Sequence, residues 1–259
     1  MPDIRPPEQV LDAVAALLHS ARSVLFITGA GMSADSGLPT YRGIGGLYDG
    51  QSTEDGLPIE AALSGTMLTT RPAVCWKYIA QIEAACRDAR HNRGHELLAA
   101  FERKIPRTWV LTQNVDGFHR DAGSHNVIEM HGNVHHLRCT RCSWRATVAD
   151  YRALTLPPAC PACAALVRPE VVLFGERLPA EALAIYDREL TLGFDLVVSI
   201  GTTSVFPYIA GPVIDASIAG VPTVEINPGA SEVSDFIAHK IHGRAAESLA
   251  QLCHRSFGR

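Results

Sequence analysis

Two Cys-x-x-Cys pairs, Cys139/Cys142 and Cys160/Cys163, stand 17 residues apart in a chain of 259. Each pair folds a tight knuckle that aims two thiolates at one point. Two knuckles at this spacing suit a tetrahedral four-sulfur zinc site. Pro157, Pro158 and Pro161 stiffen the second knuckle. With cysteine at every position no site stays open for substrate, so the predicted zinc is structural, one ion per chain. A second candidate is His131, which precedes Gly132 and follows the short apolar run Val127–Met130. An imidazole at a strand end can move a proton near neutral pH. His119, His135 and His136 read instead as satisfied polar residues.

The third candidate is the loop Gly29–Gly43, GAGMSADSGLPTYRG, which follows the apolar run Val24–Thr28. Paired glycines let backbone approach a bulky group. Ser33, Asp35 and Ser36 offer first-turn and N-cap side chains. A strand, a glycine turn and a helix start form a cradle for phosphate. The pattern G-x-G-x-x-G/A is met loosely, by Gly29, Gly31 and Ala34. A dehydrogenase also needs a second strand ending in an acid about 20 residues on. That region, Asp49–Gly56, has loop composition. The loop therefore reads as a nucleotide cradle without hydride transfer.

These groups need a scaffold. Glu8–Ala21, Arg71–Arg90, His95–Arg103, Pro179–Leu190, Tyr208–Ala219 and Arg244–Cys253 read as helices from their apolar spacing. For Arg71–Arg90 the expected stripe is Val74, Tyr78, Ile82 and Cys86. Buried strands are expected at Val24–Thr28, Trp109–Thr112, Val127–Met130, Asp195–Ile200 and Thr223–Ile226, with Val171–Phe174 returning the chain to the main body. Alternation of strands and helices, with polar motifs at strand ends, predicts an α/β fold with a Rossmann-like open parallel sheet. Residues 1–43, 105–133 and 170–259 would form its nucleotide-binding body. Residues 44–104 would be a helical and lid insertion, with Ile44–Thr70 the lid. The cysteine module, 134–169, would be a second insertion in one catalytic domain.

Composition narrows the function. The chain is 47% hydrophobic and 19% charged, with net charge −4, which argues against a nucleic-acid binder. No apolar run reaches the ~20 residues of a membrane span, and MPDIRPPEQ carries no signal-peptide pattern. Of seven cysteines, Cys75, Cys86 and Cys253 stand alone, a cytoplasmic metal pattern rather than a disulfide framework. No assembly segment is visible, so a monomer is expected.

The loop closely resembles the sirtuin signature GAG-x-S-x-x-SG-x-P-x-FRG, with Tyr41 in place of Phe. Thr112–His119 (TQNVDGFH), His131-Gly132, Val171–Glu176 (VVLFGE) and Gly201–Ser204 (GTTS) resemble further sirtuin segments in the family's order. The resemblance runs from about Val24 to Ala246. It implies an NAD-dependent protein-lysine deacylase. The acyl oxygen attacks the nicotinamide ribose, nicotinamide leaves, and the ribose 2′-hydroxyl then attacks the acyl carbon to give lysine and 2′-O-acyl-ADP-ribose.

The resemblance also assigns roles. His131 is the general base. Asn114 holds ribose or a water, Asp116 the nicotinamide carboxamide, and Gln113 ribose hydroxyls. Gly29, Ala30, Gly31, Ser33 and Asp35 are loop contacts, Arg42 faces the pyrophosphate, and Tyr41 shields the ribose. Gly201, Thr202 and Ser204 bind phosphate or adenosine ribose, Asn227 the adenosine ribose, and a residue near Ala246 the adenine. Val205–Tyr208 departs from the family, which places its proline further along. Val172, Phe174, Gly175 and Glu176 would pair with an acyl-lysine peptide or protein by strand addition.

A subgroup that removes succinyl groups carries Tyr-x-x-Arg on the helix after the lid. Tyr78 is followed at that spacing by Gln81, and Ile79 by Ile82, so the arginine is missing. A buried carboxylate without a partner is costly. A neutral acyl group, near Tyr78, Ile79 and Ile82, is expected unless Lys77 turns inward. The competing readings are a mono-ADP-ribosyltransferase on the same fold, a non-catalytic NAD-sensing or zinc-mediated interaction module, and a dehydrogenase.

Overall fold

The computed structural model describes residues 8–39 and 53–258. Tyr41, Arg42 and the first part of the expected lid lie outside the described residues.

In chain order the strands are β1 Ser23–Thr28, β2 Arg107–Thr112, β3 Val127–Glu129, β4 Gly132–Cys139, β5 Arg145–Thr147, β6 Val167–Val171, β7 Leu196–Ile200, β8 Thr223–Ile226 and β9 His239–Ile241. The helices are α1 Glu8–Ser20, α2 Ala30–Ser33, α3 Ile59–Ala62, α4 Gly65–Thr70, α5 Pro72–Cys86, α6 Arg93–Lys104, α7 Phe118–Asp121, α8 Ala180–Leu192, α9 Pro207–Ile218 and α10 Ala245–Phe257.

Six strands form a parallel sheet in the order β3-β2-β1-β7-β8-β9. Every residue of β1 is buried. Successive side chains point to opposite faces. Val24 and Phe26 join α1, α6 and α10 through Leu18, Phe101 and Leu249. Leu25 and Ile27 join α9 through Ile209 and Val213. Cover on both faces explains the unbroken apolar run. The chain steps outward from β1 to β3 and returns to pair β7 with the other side of β1. That reversal is the switch point at which open α/β sheets bind ligands, beyond the strand C-termini.

β5, β4 and β6 form a separate antiparallel sheet that carries the cysteine knuckles. It shares a core with α3, α4 and α5, where the Trp76 indole donates to the Val167 carbonyl at 3.0 Å. The described part of the expected lid holds two short helices, α3 and α4.

Two expectations change, and one strand was not expected. The buried face of α5 is Cys75, Trp76, Tyr78, Ile79, Glu83 and Cys86, whereas Val74 and Ile82 are only partly buried. The helix meets both the small sheet and α3–α4, so its apolar residues do not form one stripe. Val171 ends β6 in the small sheet, not in the parallel one. β9, three residues on the sheet edge, had no periodicity to reveal it.

Candidate active site

The loop after β1 leans on the loop after β7. Gly29 N–H donates to the Ile200 carbonyl at 3.1 Å and Gly31 N–H to the Gly201 carbonyl at 2.8 Å. A Cβ on Gly31 would lie 2.7 Å from Gly201 Cα. One on Gly201, where φ is +57°, would lie 2.6 Å from the Gly31 carbonyl carbon. Only glycine fits either position. The helix start is a single turn, α2, and neither Ser33 nor Asp35 caps it.

A cavity of about 890 Å³ opens beyond the strand ends. Gly29, Ala30, Gly31, Gln113, Asn114, Gly201, Thr202 and Asn227 border it. So does an apolar set: Ile59, Leu63, Ile79, Ile82 and Leu173.

His131 opens on this cavity. Its Nδ1 lies 3.0 Å from the Gln113 carbonyl oxygen. A carbonyl only accepts, so Nδ1 carries the proton and Nε2 keeps its lone pair. Nε2 meets the Tyr208 hydroxyl at 2.7 Å. Burial pulls the His131 pKa below the usual imidazole value, against the Gln113 carbonyl, which raises it. The ring is therefore neutral at pH 7 and can accept a proton.

Asn114 Nδ2 donates to the Gly29 carbonyl at 3.0 Å and to Ser33 Oγ at 3.2 Å. Ser33 Oγ donates to Asp116 Oδ2 at 2.6 Å, and Phe118 N–H donates to Asp116 Oδ1 at 3.0 Å. Asp116 borders a small adjoining cleft with Ala30, Ser33, Pro39 and Asn114, not the main cavity. Burial pushes its carboxyl above the usual carboxylate range, despite the Ser33 and Phe118 bonds.

Gln113 Nε2 donates to Thr202 Oγ1 at 2.8 Å, and Asn227 Nδ2 to the Thr202 carbonyl at 2.9 Å. Asp35 turns away from both spaces. Arg244 Nε lies 2.6 Å from its Oδ1, and Ala246 N–H donates to its Oδ2 at 3.1 Å. It thus ties the start of α10 to the glycine loop. Gly243, Arg244 and Ala245 border the cavity, and Ala246 stands behind them. Ser204 is buried at φ +55°, with its Oγ lacking a partner among the described residues.

Val172, Phe174, Gly175 and Glu176 border the cavity. Val172 N–H donates to the His131 carbonyl at 2.9 Å, and Phe174 bonds to both Leu63 and Gly65 through its backbone. The Glu176 carboxylate takes two bonds from Arg168, at 2.5 and 2.8 Å. Tyr78, expected beside the acyl group, is buried outside the cavity, with its hydroxyl on Asp55 Oδ2 at 2.5 Å.

Cys139 Sγ lies 3.5 Å from Cys163 Sγ, and Cys142 Sγ 3.7 Å from Cys160 Sγ. Four sulfurs about 2.3 Å from one zinc stand roughly 3.8 Å apart, so the set fits the ion. Backbone N–H groups of Arg141 and Cys142 point at Cys139 Sγ, at 3.3 and 3.4 Å. His119 is buried and its Nε2 bonds to Thr28 Oγ1 at 2.9 Å, but its Nδ1, like His135 Nδ1, has no partner among the described residues, so neither ring is fully satisfied, contrary to expectation.

Sequence reasoning missed Tyr208, Arg244, Ile59 and Leu63 as cavity residues. The departure of Val205–Tyr208 from the family pattern was the one available signal.

The Sir2 family model matches residues 29–207. A Pseudomonas aeruginosa protein named NAD-dependent protein deacylase 2 is 51% identical over 242 residues, covering 92% of this chain and 94% of that one. A Sir2 homolog–NAD complex superposes with TM-score 0.83 at 31% identity, covering 95% of this chain and 93% of that one. A Sir2 structure with a deacetylated p53 peptide and 3′-O-acetyl-ADP-ribose gives TM-score 0.84 at 30% identity, covering 96% and 98%. With the parallel sheet, its switch-point cavity and the four-cysteine cluster, these matches show that the chain belongs to the Sir2 family, the sirtuins.

Proposed function

We propose that this chain is an NAD-dependent protein-lysine deacylase that prefers neutral acyl groups to succinyl. One observation carries the reading. A single cavity joins a glycine cradle, a neutral histidine with its lone pair on Nε2, and an apolar wall from α3, α5 and Leu173. Its volume suits a dinucleotide with an acyl-lysine side chain. The deacylase names of its relatives point the same way.

NAD+ bound in the cavity supplies an electrophilic ribose carbon, nicotinamide as leaving group, and a ribose hydroxyl that ends with the acyl group. Gly29, Ala30, Gly31, Gly201 and Thr202 line the space for its phosphates, the glycines letting the group come close while their own N–H groups stay bonded to Ile200, Gly201 and Ile226. Ser33 acts through Asp116 and Asn114, and Asp35 acts through Arg244 and Ala246. Asn227 holds the adenosine ribose, and Ser204 shapes the loop beside it. Gln113 and Asn114 hold the nicotinamide ribose, and Asp116 the carboxamide. Tyr41 and Arg42 keep the roles the resemblance gives them. His131 takes the hydroxyl proton, the step that needs a base. The peptide lies along Val172, Phe174, Gly175 and Glu176.

Zinc on Cys139, Cys142, Cys160 and Cys163 holds the small sheet and takes no part in the chemistry. The body is 1–43, 105–133 and 170–259, with insertions 44–104 and 134–169, acting as a cytoplasmic monomer without nucleic acid. Among the described residues no helix is long and apolar enough to cross a membrane.

The test is an acetyl-lysine peptide with NAD+, read by mass spectrometry. Equal yields of nicotinamide, deacetylated peptide and acetyl-ADP-ribose are expected. ADP-ribosylated protein without acetyl-ADP-ribose would favour the mono-ADP-ribosyltransferase and reject the deacylase.

A further inference from the structure

His131 has one nitrogen able to accept a proton, and a phenol already stands on it. Nδ1–H is spent on the Gln113 carbonyl, and Nε2 receives the Tyr208 hydroxyl at 2.7 Å. A neutral imidazole offers a single lone pair, so a second hydroxyl cannot donate to Nε2 while Tyr208 does. The ribose hydroxyl must therefore displace the phenol or pass its proton through it. Resting on the deacylase reading, we infer that Tyr208 relays that proton to His131.

The mounting of Tyr208 favours relay over displacement. It follows Pro207, which opens α9 with a fixed φ, and precedes the fully buried Ile209. Its ring stacks on Phe206, centroids 5.4 Å apart and planes 11° apart. Phe206 in turn meets the His131 ring edge-on at 5.6 Å. Swinging the hydroxyl away would break this stack. Both Tyr208 and His131 border the cavity, so an arriving hydroxyl can reach the phenol oxygen. Among the described residues, the hydrogen-bond and ring partners of the imidazole are the Gln113 carbonyl, Phe206 and Tyr208, none of them charged. Burial pushes the Tyr208 pKa up to about 12, so the phenol keeps its proton at working pH.

The transfer balances. The ribose O–H bond breaks as a new O–H forms on Tyr208, and the original phenol proton moves to Nε2. Tyr208 ends unchanged, His131 ends as imidazolium, and the ribose oxygen keeps the electron pair with which it attacks the acyl carbon.

Tyr208→Phe removes the hydroxyl and keeps the stacked ring. In protein without NAD+, the nitrogen resonance of His131 Nε2 should move from a hydrogen-bonded to a free acceptor position. With acyl-peptide and NAD+, nicotinamide exchange reports the bond-breaking step that precedes base action. The ratio of turnover to exchange should fall roughly 10- to 100-fold, the scale of lost proton transfer. His131→Ala/Tyr208→Phe should lose little beyond His131→Ala alone, since one residue acts through the other.

An unmoved Nε2 resonance or an unchanged ratio would overturn the relay. Faster turnover would show that the phenol obstructs, and additive losses would show that it acts apart from His131; either overturns the relay too. Wild-type protein that makes no acyl-ADP-ribose would instead sink the deacylase reading, and the relay with it.

Discussion

Lys77 reaches out to Asp55, Nζ to Oδ2 2.9 Å, and carries its charge away from the cavity wall that Ile79 and Ile82 form. Glu54 lies 3.0 Å from the same ammonium, and Tyr78 shares Asp55. Neither half of a Tyr-and-cation clamp faces the acyl site. Glu60 and Glu176 border the cavity instead, and neither offers the cation that an acidic acyl group needs. On one peptide backbone, kcat/KM for acetyl- and butyryl-lysine should exceed that for succinyl-lysine at least ~10-fold, about 1.4 kcal/mol. Succinyl-lysine turned over as well as either neutral substrate would refute this.

His131→Ala should lower turnover by ~10² or more while NAD+ still binds, as measured by calorimetry. The base works only as neutral imidazole, and burial depresses its pKa. Activity is therefore lost as pH falls, through a midpoint below the usual imidazole value of 6.5. A pH profile of kcat/KM with an acid limb above pH 7, or near-normal turnover in the variant, would remove His131 as the base.

Purified protein should hold one zinc per chain. The Trp76–Val167 bond and the shared core join the small sheet to α5, which carries Ile79 and Ile82. Chelation should lower Tm by on the order of 10 °C, as a few kcal/mol do in a domain of this size. It should also raise the peptide KM before NAD+ affinity changes. Metal analysis finding no zinc in folded, active protein would reject the site.

The glycine loop, the strand ends and the cysteine knuckles were legible because their chemistry lies in adjacent residues. Gly31 and Gly201 belong to separate motifs, yet each shows its glycine. The bond between Asp35 and Ala246 was not legible, because the two lie 211 residues apart. The contact of Tyr208 with His131 was hidden for the same reason, 77 residues apart, although the departure of Val205–Tyr208 from the family pattern marked the loop. Only part of the buried face of α5, Tyr78 and Cys86, was legible, because a helix packed against two neighbours has no single stripe.

His95 should make the fold acid-labile. Burial, with a smaller push from His91, pulls its pKa down to about 4 from the usual imidazole value of 6.5. The unfolded chain then binds a proton between pH 6.5 and 4 that the folded chain refuses. Stability is thus complete above pH 6.5 and falls as pH drops towards 4, by about 3 kcal/mol at about 1.4 kcal/mol per pH unit. His119, 4.9 Å away ring to ring and also pulled down by burial, adds to the loss. His95 also completes the α6 capping box, where its Nδ1 accepts from Asn92 N–H at 3.2 Å. Glutamine suits that position and does not titrate. His95→Gln should keep the cap and flatten the pH dependence of unfolding free energy, measured by urea titration at pH 7 and pH 4.5. A variant that loses as much stability as wild type between those two values would show that His95 is not the group responsible.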